Sequence, residues 1–118
     1  MYKIRHIAVR ADDPEKVAQF YKKTFGMVDV RNDGDGRARY LSDGYINLAI
    51  LPHRPGLALG IDHFGFQVDD TQKIGRLAKE AGGKAAISER PRDGRFAEFR
   101  VSDPVGSEID LSEAGWKV

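Results

Sequence analysis

The strongest constraint on this chain is that it repeats itself. Shifted by 57 positions, IRHIAVRADDPEKVAQFYKKTFG (residues 4–26) lies over IDHFGFQVDDTQKIGRLAKEAGG (residues 61–83). Ile4 falls on Ile61, His6 on His63, Asp12-Asp13 on Asp69-Asp70, Lys16 on Lys73, Lys22 on Lys79 and Gly26 on Gly83. At a shift of 60, Asp33-Gly34 lies over Asp93-Gly94 and Ser42-Asp43 over Ser102-Asp103; at 63, Ile46-Asn47-Leu48 lies over Ile109-Asp110-Leu111. The second copy thus gained three residues twice, each time where Gly, Pro and Asp mark loops. Such conserved order with so few gaps marks a duplication. A unit of half this length buries too little surface to stand alone. The copies are therefore expected to form a single domain, with repeat 1 over 1–52, repeat 2 over 60–118 and a linker over 52–60. Pro52 and Pro55 argue against regular structure in that linker.

Each copy reads as βαβββ. IRHIAVRA is short, β-rich and alternating, which predicts a strand. A helix follows. Asp12 or Asp13 can cap it, Pro14 suits its first turn, and Gly26 stops it. Val17, Phe20, Tyr21 and Phe25 supply its apolar face. In the second copy Asp69 or Asp70 caps, Ile74, Leu77, Ala78 and Ala81 line the face, and Gly82-Gly83 ends the helix. Strands are expected near 27–31, 37–42 and 45–51, and again near 84–88, 95–102 and 107–112. The turns Asn32-Asp33-Gly34, Asp43-Gly44 and Asp93-Gly94 suit hairpins.

Side chains alternate along a strand, so parity assigns faces. Ile7 and Val9 share one face of the first strand, and Phe64, Phe66 and Val68 share the matching face of its repeat. These large apolar sets must pack under the helices, which turns His6 and His63 to the opposite face. Ile46, Leu48 and Ile50 likewise leave Tyr45, Asn47 and Ala49 pointing away from the helix. Ile109 and Leu111 leave Glu108 and Asp110 pointing away. Four polar residues therefore share one face by internal symmetry: His6, Asn47, His63 and Asp110.

Composition limits what these residues can do. The chain has no cysteine, which excludes disulfides, thiolate catalysis and zinc–sulfur sites. Nineteen Lys and Arg nearly cancel eighteen Asp and Glu, so no global field pulls toward nucleic acid or an anionic membrane. The opening MYKIRHIAVR has neither a long apolar run nor a small-residue cleavage site, and no stretch approaches membrane-spanning length. A cytoplasmic protein acting on a small molecule, with no nucleic-acid or membrane partner, is the expectation.

The paired units with a histidine in each first strand, together with HIAVRADDPEKVAQFYKKTFGM, DHFGFQVDD and DPVGSEIDL, resemble the vicinal oxygen chelate superfamily, which includes glyoxalases, bleomycin-resistance proteins and extradiol dioxygenases. The resemblance covers essentially the whole chain. It implies an α+β fold in which two βαβββ repeats curl into a cup-shaped mixed sheet around a divalent metal. The implied ligands are His6, His63 and Asp110. Here the closing acid is Asp110 where the family usually has glutamate, and Asn47 stands at the equivalent place in repeat 1. Two imidazoles and a carboxylate suit Fe, Mn, Co, Ni or Zn alike.

The implied activity is that of a metal-dependent lyase or isomerase on a substrate with vicinal oxygens. Glu108 is the candidate general base, with Glu98 as a substitute. Asn47, Tyr45 and Arg100 are candidate substrate contacts. The alternatives are a metal-free binding or resistance protein and an extradiol-type dioxygenase. Among the remaining residues, His53 reads as surface and the arginines of DGRARY and ERPRDGRFAEFR as mostly solvated, with Arg37, Arg39 or Arg100 able to reach an anion. Trp116 is expected to pack rather than sit in water. Two-unit chains of this superfamily typically dimerise, so a homodimer is expected, with the linker long enough to exchange units between chains.

Overall fold

The computed structural model describes residues 1–90 and 97–118. The chain divides into two compact units. One comprises residues 6–62 with 117–118, and the other residues 1–5 with 63–116.

The first unit holds β1 (Lys3–Ala11) from His6 onward, α1 (Pro14–Phe25), β2 (Val28–Asn32), β3 (Arg39–Ser42) and β4 (Asn47–Pro52). Its strands run in the order β2-β3-β4-β1. β1 is parallel to β4, and the other two pairings are antiparallel. α1 begins as its sequence demands. Asp13 caps it by accepting from the Lys16 N–H at 3.1 Å, Pro14 occupies the first turn, and Gly26 closes it in the left-handed region at φ 71°. Val9, Ala11, Ala18, Leu41, Leu48 and Ile50 form the core, with Ile7, Val17, Tyr21 and Met27 against it. Full burial of a side chain such as Leu41 or Ile50 is worth about 2 kcal/mol.

The second unit holds β5 (Gly60–Gln67) from His63 onward, α2 (Thr71–Glu80), β6 (Ser88–Glu89), β7 (Phe99–Ser102) and β8 (Glu108–Ser112), in the order β5-β8-β7-β6. β5 is parallel to β8, and β6 and β7 complete it antiparallel. Asp70 caps α2 through the Lys73 N–H at 3.0 Å. Glu113 adds a second tie, its Oε2 accepting both the Thr71 N–H and hydroxyl at 3.0 Å. Val68, Val101 and Leu111 form the core with Phe66, Ile74, Ala78, Ile87, Phe99 and Ile109. The fold is thus α+β with two βαβββ repeats, and the face assignments made by parity hold in both.

Three expectations need correction. Phe20 and Phe25 are 54% and 66% exposed, and Leu77 is 47% exposed. The sheet-facing stripe runs through Pro14, Val17, Ala18 and Tyr21 in α1 and through Thr71, Ile74, Gly75 and Ala78 in α2, the same four helical positions. Phe20 and Leu77 fall beside that stripe, and Phe25 lies in the last turn; the three aromatics of α1 pack on one another instead. Next, the strand expected at 84–88 is reduced to Ser88–Glu89. The Ala85 N–H bonds the Ser102 hydroxyl at 2.8 Å and the Lys84 N–H bonds the Asp103 carbonyl, so side chain and turn take donors a ladder would need. Finally, the strand expected at 95–102 begins at Phe99 among the described residues; the Asp93-Gly94 turn lies outside them. No helix among the described residues is long and apolar enough to cross a membrane.

Candidate functional site

In the first unit the parallel register sets His6 on β1 directly beside Asn47 at the start of β4. Both are buried. His6 Nδ1 lies 3.0 Å from Asn47 Oδ1, and Asn47 Nδ2 donates to the Lys117 carbonyl at 2.8 Å. The second bond fixes the amide: its nitrogen must face the carbonyl, so its oxygen faces the imidazole. An oxygen there requires an N–H, which assigns a proton to Nδ1. Tyr45 is exposed on the adjoining turn, where its N–H bonds the Asp43 carboxylate at 2.9 Å.

In the second unit His63 and Asp110 are both buried, with His63 Nε2 3.1 Å from Asp110 Oδ2. The other carboxylate oxygen, Oδ1, accepts from Arg100 Nε at 2.7 Å and from Arg90 Nη1 at 2.8 Å. Burial pushes the Asp110 carboxyl up, but the hydrogen bonds from His63 and Arg100, with their charges, outweigh it and hold the group well below the usual carboxylate range. Asp110 is therefore ionised at neutral pH. Arg100 also reaches Glu108 Oε2 at 2.6 Å, and that carboxylate is half exposed. Glu98, the acid two residues before Arg100, has its Oε2 buried without a hydrogen-bond partner among the described residues. Trp116 is buried in this unit, and a Cβ added to Gly65 would meet its ring at 2.7 Å.

The two units place the closing polar residue differently. Asn47 lies across from His6 and Ser42. Asp110 lies across from Gly65 and Arg100, two residues further along both neighbours. The extra residues of the second copy explain the difference. One lengthens the hairpin, closed by Asp43 N–H to Ile46 O in one unit and Asp103 N–H to Ser107 O in the other. The others let β8 start at Glu108, two residues ahead of Asp110, whereas β4 starts at Asn47.

Sequence reasoning missed Arg90, which it left on a solvated hairpin. The signal was parity: Arg90 lies two residues beyond Ser88, which pairs with Arg100, but reading it required the register. Arg39 was offered as a contact for an anion. It is buried and ion-paired with Glu15 and, at 2.6 Å, with Asp29, which makes it structural. His53 is half exposed beside Asp12, as a surface residue should be.

Chemically, an imidazole and a carboxylate are donor types that divalent cations take. His6, His63 and Asp110 are each buried and each offers one ligand atom. His6 carries a proton on Nδ1 toward Asn47. Asp110 turns both arginines to Oδ1, which leaves Oδ2 with His63. A cation would replace the imidazole proton in that contact.

Comparison with known proteins follows the same lines. The Glyoxalase/Bleomycin resistance protein/Dioxygenase superfamily matches residues 3–111. The chain is 25% identical over 123 residues to a probable lactoylglutathione lyase, chloroplastic, of Arabidopsis thaliana, covering 93% of this chain and 35% of that protein. It thus spans about a third of that relative's length. It is 29% identical over 113 residues to a probable trivalent organoarsenical cleaving enzyme of Bacillus subtilis (strain 168), covering 90% of this chain and 76% of that one. Among solved structures, a hypothetical protein, BH1468, of Bacillus halodurans C-125 superposes with a TM-score of 0.74 at 17% identity, covering 99% of this chain and 97% of that one. Methylmalonyl-CoA epimerase of Streptomyces coelicolor, in complex with 2-nitronate-propionyl-CoA, gives 0.65 at 19% identity, with 98% of each chain covered. At these identities the structures share a fold.

Proposed function

This chain belongs to the Glyoxalase/Bleomycin resistance protein/Dioxygenase superfamily, and from that premise we propose that it is a metal-dependent lyase or isomerase acting on a small substrate with two neighbouring oxygens. The observation that carries the reading is the buried, ionised Asp110 in contact with His63. His6, its repeat counterpart, supplies the third donor. The ion would be Fe, Mn, Co, Ni or Zn, since the donor set does not select among them. When bound, it polarises substrate oxygen and stabilises negative charge developing there.

The remaining roles fall to the chain's own groups. Asn47 holds the His6 proton on Nδ1. His63 and Arg100 keep Asp110 ionised, and Arg90 and Arg100 together hold its Oδ1. Glu108, half exposed and steadied by Arg100, is the group proposed to take a proton from the substrate, with Glu98 as its substitute. Arg100 and Tyr45 are the proposed substrate contacts. A symmetric homodimer and a cytoplasmic location complete the proposal, and a monomer by light scattering would remove the first of these.

The test is metal analysis of protein purified without a histidine tag. Titration of stripped protein with Mn, Fe, Co, Ni and Zn should give stoichiometric binding of at least one, lost in His63→Ala and Asp110→Ala. Failure of all five ions ends this reading. A metal-free binding module is the second reading, favoured by the two arginines that already neutralise Asp110. It wins if a His6→Ala, His63→Ala double variant retains small-molecule ligands bound by the wild type.

A further inference from the structure

We infer that the C-terminal tail sets the tautomer of His6, through Asn47, and thereby decides which imidazole nitrogen carries the proton when the ring is neutral. His6 as a metal donor is taken from the function proposed above; the tautomer itself is a property of the metal-free chain.

The relay has two bonds. The Lys117 carbonyl accepts from Asn47 Nδ2 at 2.8 Å, and Asn47 Oδ1 meets His6 Nδ1 at 3.0 Å. All three groups belong to the same compact unit. Asn47 is fully buried, so its amide cannot exchange partners with water without cost. An amide flip would set the NH2 group against an imidazole N–H and the oxygen against a carbonyl, two repulsive contacts in place of two bonds. The tail therefore holds the amide, and the amide holds the proton on Nδ1. Neutral imidazole left to itself favours the proton on Nε2, so the arrangement opposes the intrinsic preference.

This gives Asn47 a role distinct from substrate contact. It is a positioning residue, and the main-chain oxygen of Lys117 is its partner. In the second repeat His63 instead turns its Nε2 to a carboxylate.

The experiment reads nitrogen-15 shifts of the His6 ring by two-bond proton correlation in metal-free protein at a pH where the ring is neutral. The full chain should show protonated Nδ1 and unprotonated Nε2. A chain ending at Trp116, and separately Asn47→Ala, should shift His6 toward the Nε2–H form. In an Asn47→Asp background the carboxylate accepts from Nδ1 without help, so the same truncation should leave the tautomer unchanged. A full-length chain with the proton on Nε2 would overturn the inference. So would an Asn47→Ala or truncated chain that keeps the wild-type pattern. Zinc titrated into the truncated chain should bind roughly 10–100-fold more weakly than to the full chain, as loss of an outer partner of a ligating histidine does. Absence of zinc binding in both chains, with the tautomer shift intact, would sink the metal reading and leave the relay standing.

Discussion

Each repeat ends on a strand that buries a polar residue just before a core leucine, Asn47-Leu48 in one and Asp110-Leu111 in the other, and the two halves surround that residue differently. Asn47 is neutral and needs only two well-placed bonds, which His6 and Lys117 supply. Asp110 is charged and buried, and a lone carboxylate in that setting would cost several kcal/mol. The second half meets this with donors: the His63 imidazole on one oxygen, the guanidiniums of Arg90 and Arg100 on the other. Opposite Asn47 stands Ser42, whereas opposite Asp110 stands Arg100. The half with the charge is the half that recruited arginine. The same face of the same fold thus yields a neutral orienting group in one copy and an anionic donor in the other.

The largest effect should come from removing that charge. Asp110→Ala leaves two guanidiniums without their shared counter-ion and should cost about 3–5 kcal/mol, the usual penalty for breaking a buried pair. Asn47→Ala removes a neutral hydrogen-bonder and should cost about 1–3 kcal/mol. Urea denaturation of both variants tests the order. Equal losses would mean that the cations around Asp110 are solvated well enough not to need it, and the contrast between the halves would collapse.

A second test exchanges a residue between the copies. Gly65 corresponds to Ala8, which is itself fully buried. Gly65→Ala makes the second half resemble the first, but its Cβ would lie 2.7 Å from Trp116 Cη2 and 3.1 Å from the Asp110 carbonyl. An indole is rigid and the carbonyl is backbone, so the cost should be about 1–3 kcal/mol, as for other overpacked sites. It should fall when Trp116 is also reduced to Leu. Thermal melts of the single and double variants decide. A Gly65→Ala chain as stable as wild type would show that the Trp116 ring can move aside.

These contrasts also mark how far the sequence could be read. The duplication, the caps to within one residue (Asp12 or Asp13, Asp69 or Asp70) and the side on which His6, Asn47, His63 and Asp110 fall are local matters of spacing and parity, and all were legible. Register was not. Nothing in DPVGSEIDL says how many of its extra residues enter the turn and how many enter β8, so the partners of Asp110 could not be named and Arg90 was left on the surface. Arg39 was misjudged for a related reason. Its parity with Leu41 puts it under α1, but only the packed helix brings Glu15 to it and only the β2–β3 register brings Asp29. Phe20 and Leu77 were assigned to the core because helical spacing alone does not tell how wide a stripe the sheet will cover.

A smaller effect compares the helix starts. Asp13→Ala and Asp70→Ala each remove one bond to the third helical N–H and should each cost about 1 kcal/mol. The helices differ two residues earlier. Pro14 has no N–H to satisfy, while the Thr71 N–H is held by Glu113. Glu113→Ala should therefore destabilise α2 by about a further 1 kcal/mol, and hydrogen exchange should quicken at α2 but not at α1. Uniform quickening at both helices would argue that Glu113 acts on the whole fold rather than on the cap.

The smallest effect is shared by the halves and appears only in acid. Asp43 Oδ1 accepts from the N–H groups of Tyr45 and Ile46, and Asp103 Oδ1 from those of Val105 and Ser107. The Ile46 and Tyr45 amides hold the Asp43 carboxyl below the usual range, and the Ser107 amide leads the same effect at Asp103. Each folded value lies below the unfolded one, so the unfolded chain takes up the proton first as pH falls. The stabilisation is complete above the unfolded value, near pH 4, and is lost as pH drops through the folded values. Both turns are exposed to solvent, so each contribution is modest. Asp43→Asn and Asp103→Asn keep an acceptor for the amides but remove the charge. Each should flatten the fall of stability below about pH 4 by a similar amount, and the double variant by the sum, because the turns belong to separate units. Urea midpoints between neutral pH and about pH 2.5 measure it. A flattening seen with one variant alone would show that only that turn keeps its carboxylate bonded in solution, and the hairpins would join the list of places where the copies have diverged.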